Sequence, residues 1–101
     1  MINIDNFIAI NDKRNGQNSF KVFGTVMVSN PAITPALSEP TFRHRGGWEV
    51  LNLDLRDEGG FAPQVLTSKS VYFERAGGTH WGTVEINHPG GTSHLKIITI
   101  E

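Results

Sequence analysis

Four histidines, His44, His80, His88 and His94, are the side chains from which a metal or acid–base site would first be built. If Pro89-Gly90 tips a hairpin, Glu85 falls directly opposite His94 across the two strands. His80 would then lie beside Thr99, about 16 Å from His94 at roughly 3.3 Å per residue. Zinc donors must converge within about 2 Å of one ion, so this spacing argues against a shared metal. Glu85 and His94 read instead as a solvated cross-strand pair, worth about 0.2–1 kcal/mol. No cofactor is expected.

Other reactive combinations are incomplete. The chain has no cysteine, no Gly-x-Ser-x-Gly elbow, no Gly-x-Gly-x-x-Gly fingerprint and no P-loop. Asp54, Asp57 and Glu58 follow no EF-hand spacing, and Arg56 sits among them, so they read as a charged turn. Arg43-His44-Arg45-Gly46-Gly47 could hold an anion through the Arg43 and Arg45 guanidinium groups and neighbouring backbone N–H groups. The aromatic residues are a further resource. Tyr72 and Trp81 are expected as diagonal neighbours on a non-core face, with Ile98 opposite Trp81 and Trp48 following a Gly-Gly pair. Such a face could be buried, could be a subunit interface, or could stack sugar rings with Glu85 and His94 nearby.

The elements that must position these residues are strands. Ile2, Ile4, Ile8 and Ile10 fall on even positions with polar Asn3 and Asp5 between them, which is strand periodicity. Asn15-Gly16 marks a turn into a strand from Phe20 to Ser29 that is apolar on both faces, as a central strand would be. A two-residue turn there pairs Ile8 with Phe23 and sets the two even faces against each other. A bulge, a longer loop or separate sheets would remove that conflict. Pro31, Pro35 and Pro40 exclude helix and central strand and point to a crossing connection. Trp48 to Arg56 places Leu51, Leu53 and Leu55 inward, with Asn52, Asp54 and Arg56 outward. Gln64 to Arg75 puts Lys69 in a core series, so a bend at Thr67 to Ser70 is expected.

Val71 to Glu101 reads as a three-stranded antiparallel meander turned at Gly77-Gly78 and Pro89-Gly90. Its registers place Val71, Phe73, Val84, Ile86, Leu95 and Ile97 on one core face, with Gly82 beneath the Phe73 ring. Tyr72, Glu74, Trp81, Thr83, Glu85, His94, Lys96 and Ile98 take the other. A slip of one residue would exchange these faces.

The whole, residues 1–101, is expected to be one all-β domain: an antiparallel β-sandwich of immunoglobulin-like size with about seven short strands. A small β-barrel is the alternative. The net charge of −1 offers no electrostatic case for nucleic acid or an anionic membrane. No basic and apolar leader opens the chain, which favours a cytoplasmic location, and no stretch has the roughly 20 apolar residues of a membrane helix. The expected function is a non-catalytic recognition or assembly module. It would bind a protein partner or a second copy, as a homodimer, through the aromatic face, the loops or an edge such as Thr92 to Glu101. A carbohydrate-binding module using Trp81, Tyr72 and Trp48 is the second reading. A small enzyme or metal protein built on His44, Glu85 and His94 is the third.

Overall fold

Alternating apolar residues commit each strand to one inward face, and the computed structural model shows how those faces are joined. It describes residues 6–16, 18–41, 46–57, 59–60 and 63–101. The strands are β1 (Ile8–Asp12), β2 (Ser19–Val28), β3 (Ile33–Ser38), β4 (Glu49–Asp57), β5 (Thr67–Ala76), β6 (Thr83–His88) and β7 (Gly91–Ile100). They form one mixed sheet in the order β3-β4-β6-β7-β1-β2-β5. Two neighbouring pairs are parallel, β1 with β7 and β4 with β6. The rest are antiparallel.

The sheet curls until its edge strands β3 and β5 approach within 8 Å between Cα atoms. Two side-chain contacts stitch the remaining gap. Lys69 donates to the Pro31 carbonyl at 2.8 Å, and Arg75 reaches the Glu39 carboxylate at 3.7 Å. The architecture is therefore the nearly closed barrel, and the two-sheet sandwich is not confirmed. Side chains fill the interior, as in other small barrels. Phe20, Val22, Val26 and Val28 of β2 meet Leu51 and Leu53 of β4, Val84 and Ile86 of β6, and Val71 and Ile97 of β5 and β7. Each such burial contributes about 1.5–3 kcal/mol before entropy is subtracted.

The second half of the expected meander is present and the first is not. β6 and β7 pair with Glu85 opposite His94 and Val84 opposite Leu95, and Pro89-Gly90 tips the hairpin. β5 instead leaves β6 and pairs with β2 along its whole length, from Ser19–Ala76 to Val28–Thr67. Gly77 and Gly78 do adopt positive φ, at 94° and 68°, but they lead away from the sheet rather than into a hairpin. Val71, Phe73, Val84, Ile86, Leu95 and Ile97 still face one interior, because closure brings separated strands to a common core. Gly82 lies outside β6, and nothing sits within 4 Å of where its Cβ would be, so no ring covers it.

Three further expectations change. β5 runs straight through Thr67 to Ser70, because Lys69 lies at the seam, where its ammonium reaches Pro31. The proline-rich segment contains a strand, β3, and Pro35 is accommodated because β3 is an edge. β7 lies between β6 and β1 in the strand order, pairing with β6 through Lys96 and with β1 from Ile97 onward, so Thr92 to Glu101 is not the outermost strand of the sheet.

The conflict at β1 and β2 resolves without a bulge. Ile8 does pair with Phe23, across a loop containing a 3-10 turn at Arg14–Gly16. It is the odd residues of β1, Ala9 and Asn11 with the preceding Phe7, that turn inward, and Ile8 is 45% exposed. Phe7 fits because β2 has glycine opposite it. A Cβ on Gly24 would stand 2.3 Å from Phe7 Cδ1. Gly24→Ala is therefore expected to lower stability by about 1–3 kcal/mol. Denaturant unfolding should show much of that loss recovered in Gly24→Ala/Phe7→Leu.

Candidate functional site

With the interior filled, the chemistry left for recognition lies on the outside, which has two unlike halves. Across β7, β1, β2 and β5 the outward residues form rows. Ile8, Phe23 and Tyr72 make one row, and Ile98, Ile10, Lys21 and Glu74 make the next. Tyr72 and Ile98 are 56% and 54% exposed. The Phe23 and Tyr72 rings stack with centroids 6.3 Å apart and planes inclined by 28°. Tyr72 donates its hydroxyl to Glu74 at 2.6 Å, which raises the phenol pKa above its ordinary value. Beside these rings, small Thr25 and Ser70 leave an open depression of about 400 Å³ lined also by Gly24 and Val71. Met27, 51% exposed, stands on its far side.

One border of this face is fixed by Asp12, itself buried at 7% exposure. Its carboxylate accepts from Arg14 Nε at 3.0 Å, Arg14 Nη2 at 2.8 Å and Lys21 Nζ at 3.3 Å. The Arg14 hydrogen bonds, aided by Lys21, hold the Asp12 pKa well below the usual carboxylate range.

Tyr72 and Trp81 are not neighbours. Tyr72 belongs to β5 beside Phe23, whereas Trp81 precedes β6 and packs its ring on His80, centroids 4.2 Å apart, and against Gly47. Trp48, 39% exposed, follows Gly47 at that same end of the barrel. The expected continuous aromatic face is thus split, because β5 and β6 do not pair.

The Trp81 end is anchored by a buried ionic cluster. Glu49, 3% exposed, accepts from Arg75 Nη2 at 2.7 Å and Nη1 at 3.2 Å, and from the Thr79 hydroxyl. Arg75 also donates to the Gly78 carbonyl at 3.2 Å and lies 5.2 Å from the centre of the Phe20 ring. The Glu49 hydrogen bonds raise the guanidinium pKa further. Asn11 completes the cluster, donating to Thr79 O at 2.9 Å and accepting from Thr79 N at 3.2 Å. Among the described residues no buried side-chain nitrogen or oxygen of the cluster lacks a hydrogen-bond partner.

The other outer half, on β4, β6 and β7, is polar. His94 and Glu85 stand 3.3 Å apart, the cross-strand pair expected from sequence. One row along, Thr92 donates to Asn87 at 3.0 Å and Asn87 donates to Asn52 at 3.2 Å. Among the described residues no group of three His, Asp or Glu could hold a metal ion. No described helix is long and apolar enough to cross a membrane. Arg43 and Arg45, the proposed anion ligands, lie outside the described residues, as does His44.

Sequence reasoning missed one close Ser–His contact, His88 Nε2 to Ser93 Oγ at 2.9 Å. The Gly90 N–H donates to His88 Nδ1 at 3.2 Å, which leaves that nitrogen unprotonated. The proton of the neutral ring therefore sits on Nε2 and is donated to Ser93. A general base would require the reverse, so this contact does not activate the hydroxyl. It also missed the outward turn of Ile8 and Ile10. The signal was there: the Ile8–Phe23 pairing, taken at face value, already sets them beside Phe23 on the face of β2 opposite Phe20 and Val22.

Two outcomes follow from this geometry. Asp12 binds its proton less readily in the folded than in the unfolded chain, so its contribution is complete at neutral pH. It is lost as pH falls below about 4, the ordinary carboxylate range. Thermal unfolding followed from pH 7 downward should show the parent losing more stability than Asp12→Asn. For the neutral His88 ring, nitrogen chemical shifts should report a protonated Nε2 and a bare Nδ1. A proton found on Nδ1 would reverse that assignment. No family model, curated protein or solved structure matches the chain, so this geometry alone supports a functional reading.

Proposed function

We propose that the chain is a non-catalytic recognition or assembly module that holds a protein surface on the outer face of β7, β1, β2 and β5. One observation carries this reading. Ile8, Ile10, Phe23, Tyr72 and Ile98 form a contiguous apolar area on the outside of a barrel whose interior is already filled. Folding alone does not require isoleucines there. Contiguous apolar patches of this kind, rimmed by polar residues, mark protein contact sites. Lys21, Glu74 and Lys96 supply the polar rim. The rings also suit the role, since aromatic residues give large contact area at small entropic cost.

The carbohydrate reading relied on Tyr72 and Trp81 as one stacking platform, and the strand order separates them. The recognition reading needs no such adjacency.

The test separates residues that serve the fold from those that serve a partner. Ile8→Ser/Ile98→Ser should keep the thermal midpoint within a few degrees of the parent while shortening retention on a hydrophobic-interaction column. Ile97→Ser, at a 6% exposed core position, should lower the midpoint by far more. Equal destabilisation by both variants would make the outer isoleucines part of the fold and end the proposal.

A further inference from the structure

We infer that the occupant of this face is a second copy of the chain, docked about a two-fold axis running across the strands between the Phe23–Tyr72 row and the Thr25–Ser70 row. The inference rests on the recognition reading above and adds the partner and its geometry.

The argument is one of shape. On two paired strands, a ridge of two stacked rings lies directly beside a depression floored by a threonine and a serine. A two-fold interface must be self-complementary, each patch meeting the same patch of the other copy. A two-fold axis midway between ridge and depression meets that condition. It sets the Phe23 ring of each copy over Thr25 of the other, and each Tyr72 ring over Ser70. Knob and hole are carried by one surface, so both insertions occur at once.

The next rows agree. The same operation brings Lys21 over Met27 and Glu74 over Ser68. A lysine stem lies well on a methionine side chain, and a serine hydroxyl can donate to a carboxylate. No like charges are opposed. An axis placed on the ring row itself would instead set Phe23 against Phe23 and bring the charged Lys21 and Glu74, not the rings, over the depressions, forfeiting apolar contact.

Size sets the strength. Four rows about 6.7 Å apart on the two strands β2 and β5, about 4.8 Å apart, cover on the order of 260 Å² per copy. Both copies together reach about 500 Å², well below the roughly 1,200 Å² of a standard stable interface, so association is weak and the dimer exchanges with monomer.

Sedimentation equilibrium of the full chain, from about 20 μM to about 1 mM, reads this directly. The parent should pass from monomer towards twice the monomer mass across that range. Ser70→Trp, which fills the depression, and Tyr72→Ser, which removes the knob, should each weaken association by about tenfold or more, with thermal midpoints near the parent's. A parent that stays monomeric throughout overturns the second-copy partner, while the recognition reading stands or falls on its own column test. A dimer insensitive to Ser70→Trp but lost in Ile8→Ser/Ile98→Ser overturns this axis and keeps the face. A dimer indifferent to all these variants overturns both.

Discussion

The parallel pairing of the first and last strands is the constraint on which the rest depends. Without the β1–β7 ladder the chain would be two separate layers, β3-β4-β6-β7 and β1-β2-β5. With it, the layers are one sheet that curls until β3 and β5 meet. Ala9 beside Ile97 and Ile10 beside Ile98 are the contacts that fix the joint. The same register decides which isoleucines enter the core. Ile97 enters, and Ile8 and Ile98 are left on the outside.

Closure also explains the ionic cluster at one end. A nearly closed barrel has ends that need covering, and the segment after β5 is drawn across one of them by Asn11, Glu49 and Arg75. Gly78 is required there, since a Cβ would stand 2.6 Å from Asn11 Oδ1 in a backbone with positive φ. Breaking such a pair leaves a buried charge unpartnered, at a cost of about 3–5 kcal/mol when burial is complete. Among the described residues Glu49 is the buried carboxylate that Arg75 meets, and this pair fixes where β5 ends relative to β4.

The outer surface divides along β7. On one side of it, Asn52, Asn87, Thr92, Glu85 and His94 satisfy one another in cross-strand rows and leave a well-solvated wall. On the other side, aliphatic and aromatic rows stand beside a depression made by two small residues. That half is the outside of a sheet curled around its own core, and its apolar rows add nothing to the packed interior.

Period-two alternation alone settled which residues of β2, β4, β6 and β7 face inward, because a strand cannot turn neighbouring side chains to the same face. It also placed Glu85 opposite His94, since a two-residue turn at Pro89-Gly90 dictates that register locally. The Asn15-Gly16 signal likewise gave the pairing of Ile8 with Phe23, although the apolar even positions of β1 pointed to the wrong face. What local sequence could not decide was the neighbour of each strand. Val71 and Phe73 satisfy a core face equally well beside β6 or beside β2, as the apolar burial is the same in either place. Only the tertiary structure chose β2, through the ten-residue ladder from Ser19 to Val28 and the Arg75–Glu49 pair beyond it. That choice separated Tyr72 from Trp81, joined Tyr72 to Phe23, and so moved the candidate surface to the far side of the barrel.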